Sequence, residues 1–329
     1  MKKILKKFFT ICGIIILIFF CYLFLGKAPK AERIYWGVNF SQKQAELLGL
    51  DWKELYLQIL DDLKVKNLKI IAYWDLIEKE EGRYDFSDLD FQIKEAEKRG
   101  AKIILVLGRK VPRWPECHEP DWIKDKNLEE KNQKLLKYIE EVVERYKHNE
   151  AIFAWQIENE PFFKFGECGK IRGKTLKREI KLVRKLDKRP IVVSESGSRL
   201  WWQIATYGDI VSFSLYRIAY FSEFKRYIKY PFPPVFYWRK SQIIRKIFKK
   251  DVLCGELQAE PWGAVLLNSL PEKEQEKTMS FDQFLKNIEY AKKTGIERFY
   301  LWGVEWWYLK KEKGDERFWE KAKKLFQEN

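Results

Sequence analysis

The sequence predicts an α/β fold, a (β/α)8 barrel preceded by a single apolar N-terminal helix, and three observations predict it. From residue 34 onward, short runs rich in β-branched and aromatic residues alternate with longer amphipathic ones. The short runs are apolar at nearly every position, as expected of parallel strands buried on both faces. Eight of them fall within roughly 300 residues, which suits a barrel of about 250 residues with loop insertions.

In chain order the strand candidates are RIYWGVNF, LKIIAYW, AKIILVLG, AIFAWQIEN, RPIVVSES, DIVSFSLY, DVLCGEL and ERFYLWGV. Between them KELYLQILDDLKVK and LDFQIKEAEKRG carry helical periodicity, the second ending at Gly100. An open doubly wound sheet is the competing topology, but no glycine-rich phosphate turn follows the first strand. No linker composition interrupts the chain after residue 33, so residues 34–329 read as one domain.

Residues 1–7 are a basic segment, 8–26 an apolar one and 27–33 a short linker. The uncharged run over residues 8–26 nearly spans a ~30 Å hydrocarbon core at ~1.5 Å per residue. Lysines on its N-terminal side favour a cytoplasmic start and an outward-facing barrel. The run is longer than a signal-peptide core of about 7–15 residues, and LGKAPKAE is a poor cleavage site. We therefore expect a membrane-anchored, extracytoplasmic protein, or a secreted one if the segment is removed.

The net charge of +15 is dispersed in helical stretches where acidic and basic residues alternate, such as EEKNQKLLKYIEEVVERYK. No nucleic-acid-binding motif accompanies it, so no nucleic-acid partner is expected, and no obligate protein partner is evident. Of five cysteines, Cys12 and Cys21 lie in the apolar segment and Cys254 in a strand. Cys117 and Cys168 remain in polar loops, where an oxidising compartment would let them pair; two unrelated thiols are the alternative. With only His118 and His148 in the chain, a histidine-rich metal site and histidine-based triads are poorly supported, and no cofactor is called for.

Reactive groups of such barrels sit where strands end. Here the strand ends read WQIENEP, GELQAEPWG, YWDLIEKEEGRYDF, SLYRIAY and LWGVEWWY. Cleaving a glycosidic bond needs one carboxylic acid to protonate the leaving oxygen and a second carboxylate to attack the anomeric carbon or activate water. Glutamates closing the fourth and seventh strands would face each other across the mouth. The 14 tryptophans add aromatic faces on which a pyranose can stack.

These residues resemble glycoside hydrolase clan A, retaining barrel enzymes that include the cellulase-like family 5 and the β-galactosidase-like families 35 and 42. WQIENEP is similar to the clan's strand-four signature, which implies Glu160 as acid/base and Asn159 as a ligand of the sugar 2-hydroxyl. YWDLIEKEEGRYDF resembles the clan's segment after strand two. The resemblance puts the nucleophile at the end of strand seven, where Glu256 is the first choice and Glu260 the alternative. It also implies Tyr216 as a hydrogen-bond donor to the nucleophile and Trp302 as the floor under the reacting sugar. Trp74, Trp262 and Arg109 are further substrate-binding candidates, with Trp114, Trp306 and Trp307 behind them. Family 5 members usually carry an arginine near the nucleophile where this chain has Lys69, so Arg109 or Arg217 would have to supply that support. The expected function is a retaining β-glycosidase acting on a carbohydrate substrate. A surface-bound carbohydrate-binding protein without catalysis is the alternative.

Overall fold

The structure is a computed structural model and describes residues 2–327. Eight parallel strands close into a barrel: β1 (Tyr35–Asn39), β2 (Asn67–Ile71), β3 (Lys102–Leu107), β4 (Ile152–Ile157), β5 (Ile191–Ser196), β6 (Ile210–Leu215), β9 (Asp251–Gln258) and β10 (Arg298–Trp302). The order around the barrel is sequential, with β10 closing against β1. All eight predicted strands are present. An antiparallel hairpin, β7 (Ile218–Phe221) with β8 (Arg226–Lys229), is an insertion after β6 that the strand pattern does not predict.

Local signals set the helices between strands. Asp51 caps Trp52–Asp61 through its carboxylate, and Asn127 with Glu130 forms a capping box at the start of Leu128–Tyr146. Gly100, at φ +63, ends the Ser87–Lys98 helix in the left-handed region where a Cβ is costly.

Two apolar layers result. The larger one lies between strands and helices and takes the outward residues of each strand, such as Val38, Leu105, Phe213 and Leu301. The smaller fills the barrel with Ile104, Ala154, Val192, Ile210, Leu253 and Tyr300. Above that inner layer the inward positions turn polar: Asn39, Lys69, Gln156, Ser194, Ser212 and Ser214 are all buried. A barrel with a dry apolar base and a hydrogen-bonded upper layer can hold charge only near its C-terminal mouth.

Register breaks strict alternation at Phe153 on β4 and, beside the site, on β9. On β9, Cys254 pairs with Phe213 of β6, but the next pair is Glu256 with Ser214, so Gly255 is an extra residue. Leu253 points into the barrel and Cys254 out. Without the bulge Glu256 would also point out; with it, Glu256 turns inward beside Ser214. Glycine is required there, because a Cβ on Gly255 would sit 2.1 Å from the Ser212 hydroxyl.

The N-terminal helix Lys2–Phe24 stands largely outside the barrel and is the one described helix long and apolar enough to cross a membrane.

A second glycine tests the packing of the barrel itself. A Cβ on Gly37 would meet the Asn67 carbonyl oxygen at 2.4 Å and the Tyr300 ring at 2.9 Å. Gly37→Ala is expected to destabilise the protein by roughly 1–3 kcal/mol, read as a lowered urea midpoint at unchanged slope.

Candidate active site

Glu160 follows β4 after a tight turn in which Glu158 and Glu160 both adopt positive φ, 58° and 42°. That turn is held from two sides. The Glu158 carboxylate accepts the backbone N–H groups of Lys110 (2.7 Å) and Arg109 (3.3 Å), pinning the loop after β3 to the loop after β4. Gly108, at φ +134, leaves room for it: a Cβ there would meet the Glu158 carboxyl at 2.6 Å. On the other side the Glu160 N–H donates to Ser194 Oγ at 2.8 Å. Glu158 is therefore scaffolding, and it aims the second glutamate of the motif at the barrel axis.

There Glu160 meets Glu256. Ser214 Oγ donates to Glu160 Oε1 at 2.5 Å and stands 3.5 Å from Glu256 Oε2. With one hydroxyl at those two distances, the carboxylate oxygens lie no more than about 6 Å apart. Glu256 is held further by Lys69 Nζ (3.3 Å) and by Tyr216 Oη, which donates at 3.3 Å. Lys69 is 1% exposed, so its charge is delivered without screening by solvent. The support expected from Arg109 or Arg217 is thus supplied by Lys69. Arg109 is paired with Glu119, and Arg217 donates to the Phe232 carbonyl and stacks on Tyr290.

A third carboxylate joins the pair. Glu116, in the loop after β3, accepts from Lys110 Nζ at 2.6 Å and from Asn159 Nδ2 at 3.2 Å. Asn159 itself accepts from Ser194 Oγ at 3.3 Å. Burial raises the Glu160 carboxyl to about 8, with Glu256 and then Glu116 adding to the rise. Burial likewise lifts Glu116 to about 7 against the opposing pull of Lys110. Burial and the neighbouring carboxylates thus favour the protonated form of Glu160. Sequence reasoning takes GRKVPRWPECHEP as the end of the third strand and draws Arg109, Trp114 and Cys117 from it, but misses Glu116 and Lys110.

Glu260 belongs to a different cluster. Arg113 grips it through Nη1 and holds Glu305 through Nη2 at 2.7 Å, and Glu305 also accepts the Ser41 N–H at 2.6 Å. The Arg113 guanidinium lies 3.9 Å from the Trp302 ring centroid, so one face of that indole is already covered. Trp262 stands edge-on to Tyr216 (5.2 Å) and tilted against Phe165 (5.6 Å), which in turn meets the exposed Trp114 (6.0 Å). Tyr216, Trp262, Phe165 and Trp114 thus form an aromatic wall leading from the carboxylates outward. Cys117 and Cys168 are joined by a disulfide that ties the loop after β3 to the loop after β4.

Several expected positions lie elsewhere. Trp74 is fully buried, stacked on Tyr138 at 5.5 Å with its indole N–H on Glu78, so it cannot contact a substrate. Trp306 and Trp307 are buried in the same way, their N–H groups donating to Gln275 and to the Ala259 carbonyl. Arg109 is engaged below the turn by Glu119 and does not reach the carboxylate pair's hydrogen bonds. Strand-end motifs place a tryptophan near a mouth but not which way its ring turns.

The model of the family described as Glycosyl hydrolase family 10 matches residues 31–180. The chain is 29% identical to β-galactosidase BgaA of Clostridium cellulovorans over 31% of this chain and 18% of that one, so the match spans less than a fifth of that relative. Among solved structures, xylanase 10B from Thermotoga petrophila in complex with xylobiose superposes with a TM-score of 0.55 at 15% identity, covering 85% of this chain and 86% of the other. The β-galactosidase from the psychrophilic Marinomonas ef1 does so at 0.57 and 13%, covering 82% of this chain and 54% of the other. These likenesses bear out the barrel fold and the resemblance to clan A glycoside hydrolases. The matching family model is that of family 10 rather than of families 5, 35 or 42.

Arg113→Ala would leave two glutamates buried without their cation. It is expected to cost about 3–5 kcal/mol, measured by urea unfolding. Adding Glu260→Gln and Glu305→Gln to it should recover much of the loss.

Proposed function

We propose that the protein is a retaining β-glycosidase acting on β-linked oligo- or polysaccharides, with Glu160 as acid/base and Glu256 as nucleophile. The observation that carries this is the shared Ser214 hydroxyl: it puts an oxygen of one carboxylate within about 6 Å of an oxygen of the other. Retaining enzymes keep the two carboxyls about 5–5.5 Å apart, whereas inverting ones need about 6.5–9.5 Å to admit a water. The family match over residues 31–180 supports a glycosidase reading independently.

Glu160 begins protonated and gives its proton to the leaving glycosidic oxygen while a Glu256 oxygen bonds to the anomeric carbon, whose bond to that oxygen breaks. The freed Glu160 carboxylate then takes a proton from water, the water oxygen attacks the same carbon, and the Glu256 ester bond breaks. Lys69 and Tyr216 hold the Glu256 carboxylate in place through their contacts at 3.3 Å. Asn159, fixed by Ser194 and Glu116, is positioned for the sugar 2-hydroxyl. Tyr216, Trp262 and Trp114 offer apolar faces to successive rings. We further propose that residues 8–26 anchor the chain in a membrane with the barrel, residues 34–329, on the outer side.

A 2-deoxy-2-fluoro glycoside with a good leaving group tests the assignment. Digestion and mass spectrometry should find the sugar on Glu256. Label on Glu260, or saccharide binding with neither turnover nor label, would refute it; the second result would select the non-catalytic binding reading. Glu160→Gln is expected to lower kcat/KM on an unactivated oligosaccharide by about 10²–10⁴-fold while leaving the unfolding midpoint near that of the wild type.

Because the acid must be protonated, kcat/KM should fall as pH rises through about 8. Glu116→Gln removes a negative neighbour and stabilises ionised Glu160, so that alkaline limb should move to lower pH. A pH–rate profile of both proteins checks the sign.

A further inference from the structure

The N-terminal helix does not leave the barrel cleanly. Leu23 is buried against it, and Phe24 packs on Phe236 (5.1 Å) and Phe232 (6.3 Å) at the start of the Pro234–Ile243 helix. The Arg239 guanidinium lies over Tyr22 at 4.5 Å, and Phe19 meets Trp202 at 6.0 Å. Before Phe19, within residues 8–18, the large apolar side chains of the run are exposed, from Phe8 to Ile18. At ~1.5 Å per residue that stretch is only ~16 Å long, about half of a ~30 Å hydrocarbon core. A helix that spans the bilayer while keeping those contacts must draw the barrel flank that holds it into the membrane interface.

That flank has the composition of an interfacial surface. Trp202 is 38% exposed and Leu200 44%, and the segment Ile244–Phe248, which lies against the short Trp202–Ala205 helix, presents Ile247 at 70% exposure. Over residues 238–250 the chain carries Arg239, Lys240, Arg245, Lys246, Lys249 and Lys250 and no carboxylate. Lys240 is buried on the Gly197 and Arg199 carbonyls, and Lys250 lies 3.7 Å from Asp209. Among the described residues Lys246 and Lys249 are exposed and no carboxylate pairs with either. Apolar side chains flanked by unpaired cations match an anionic headgroup layer over a hydrocarbon boundary.

We infer that the outer flank formed by residues 200–205, the Pro234–Ile243 helix and residues 244–250 is seated in the outer leaflet of an anionic bilayer. Trp202 and Ile247 enter the acyl boundary, and Lys246 and Lys249 meet lipid phosphates. The inference rests on the anchored reading above. It fixes a side of the barrel, not its mouth, against the membrane, and leaves the carboxylate cleft open to glycans lying along the surface.

The test uses the full-length chain in nanodiscs of equal phosphatidylglycerol and phosphatidylcholine. Ile247→Cys is compared with Leu266→Cys, an exposed position on the loop after β9, by reaction with a maleimide-bearing polyethylene glycol. Native thiols give little background: Cys12 and Cys21 lie in the anchor, Cys254 is buried, and Cys117 and Cys168 are bonded. The thiol introduced by Ile247→Cys should react at least tenfold more slowly than the one introduced by Leu266→Cys, and the difference should vanish on unfolding. Lys246→Glu with Lys249→Glu should relieve most of that protection. Equal rates in the two variants, in a chain that resists alkaline carbonate extraction, would overturn the docking and leave the anchor standing. A mature chain lacking residues 8–25 would overturn both.

Discussion

Glu160 and Glu256 meet at one serine hydroxyl in a buried barrel mouth, where the second opposes ionisation of the first, and the rest of the site is arranged around that conflict. Glu160 keeps its proton because burial and the nearby negative groups oppose ionisation. Glu256 instead faces a buried lysine and a tyrosine hydroxyl. Two residues of the same type are thus placed in unlike surroundings.

Holding the pair so close requires backbone that ordinary strand geometry does not provide. One contribution is the bulge at Gly255, which turns Glu256 inward. The other is the run of positive φ at Glu158 and Glu160, tolerated because the Glu158 carboxylate is fixed by two amides and the Glu160 amide by Ser194. The loop after β3 serves both ends of this arrangement. It supplies Glu116 and Lys110 to the pair, Arg113 to the neighbouring cluster and Cys117 to the cross-link with the loop after β4. That cross-link holds together two loops that also meet at the Glu158 carboxylate.

The strands were legible because parallel barrel strands bury both faces, and that leaves an apolar run whatever the register. Glu160 was legible too, since WQIENEP packs acid, amide and proline into one strand end where a purely packing strand would have none. Which of Glu256 and Glu260 meets Glu160 was not. Both lie near the end of one strand, and the choice turns on a bulge and on Arg113, more than a hundred residues away in sequence, which already pairs with Glu260. Trp74 misled for a related reason: it follows β2 as a site residue would, yet its ring turns back between Tyr138 and Trp122.

By itself the sequence determined the eight-fold alternation, the apolar N-terminal segment and the presence of acidic residues at strand ends. Each of these is a property of residues near one another along the chain, where hydrophobic period and local turn chemistry act directly. Only the tertiary structure decided which carboxylates meet, which of them burial pushes toward its protonated form, and that the last turns of the N-terminal helix lie against the barrel flank. Those outcomes depend on burial and on charges brought together from distant strands and loops, and the energy of a buried charge is set by neighbours in space.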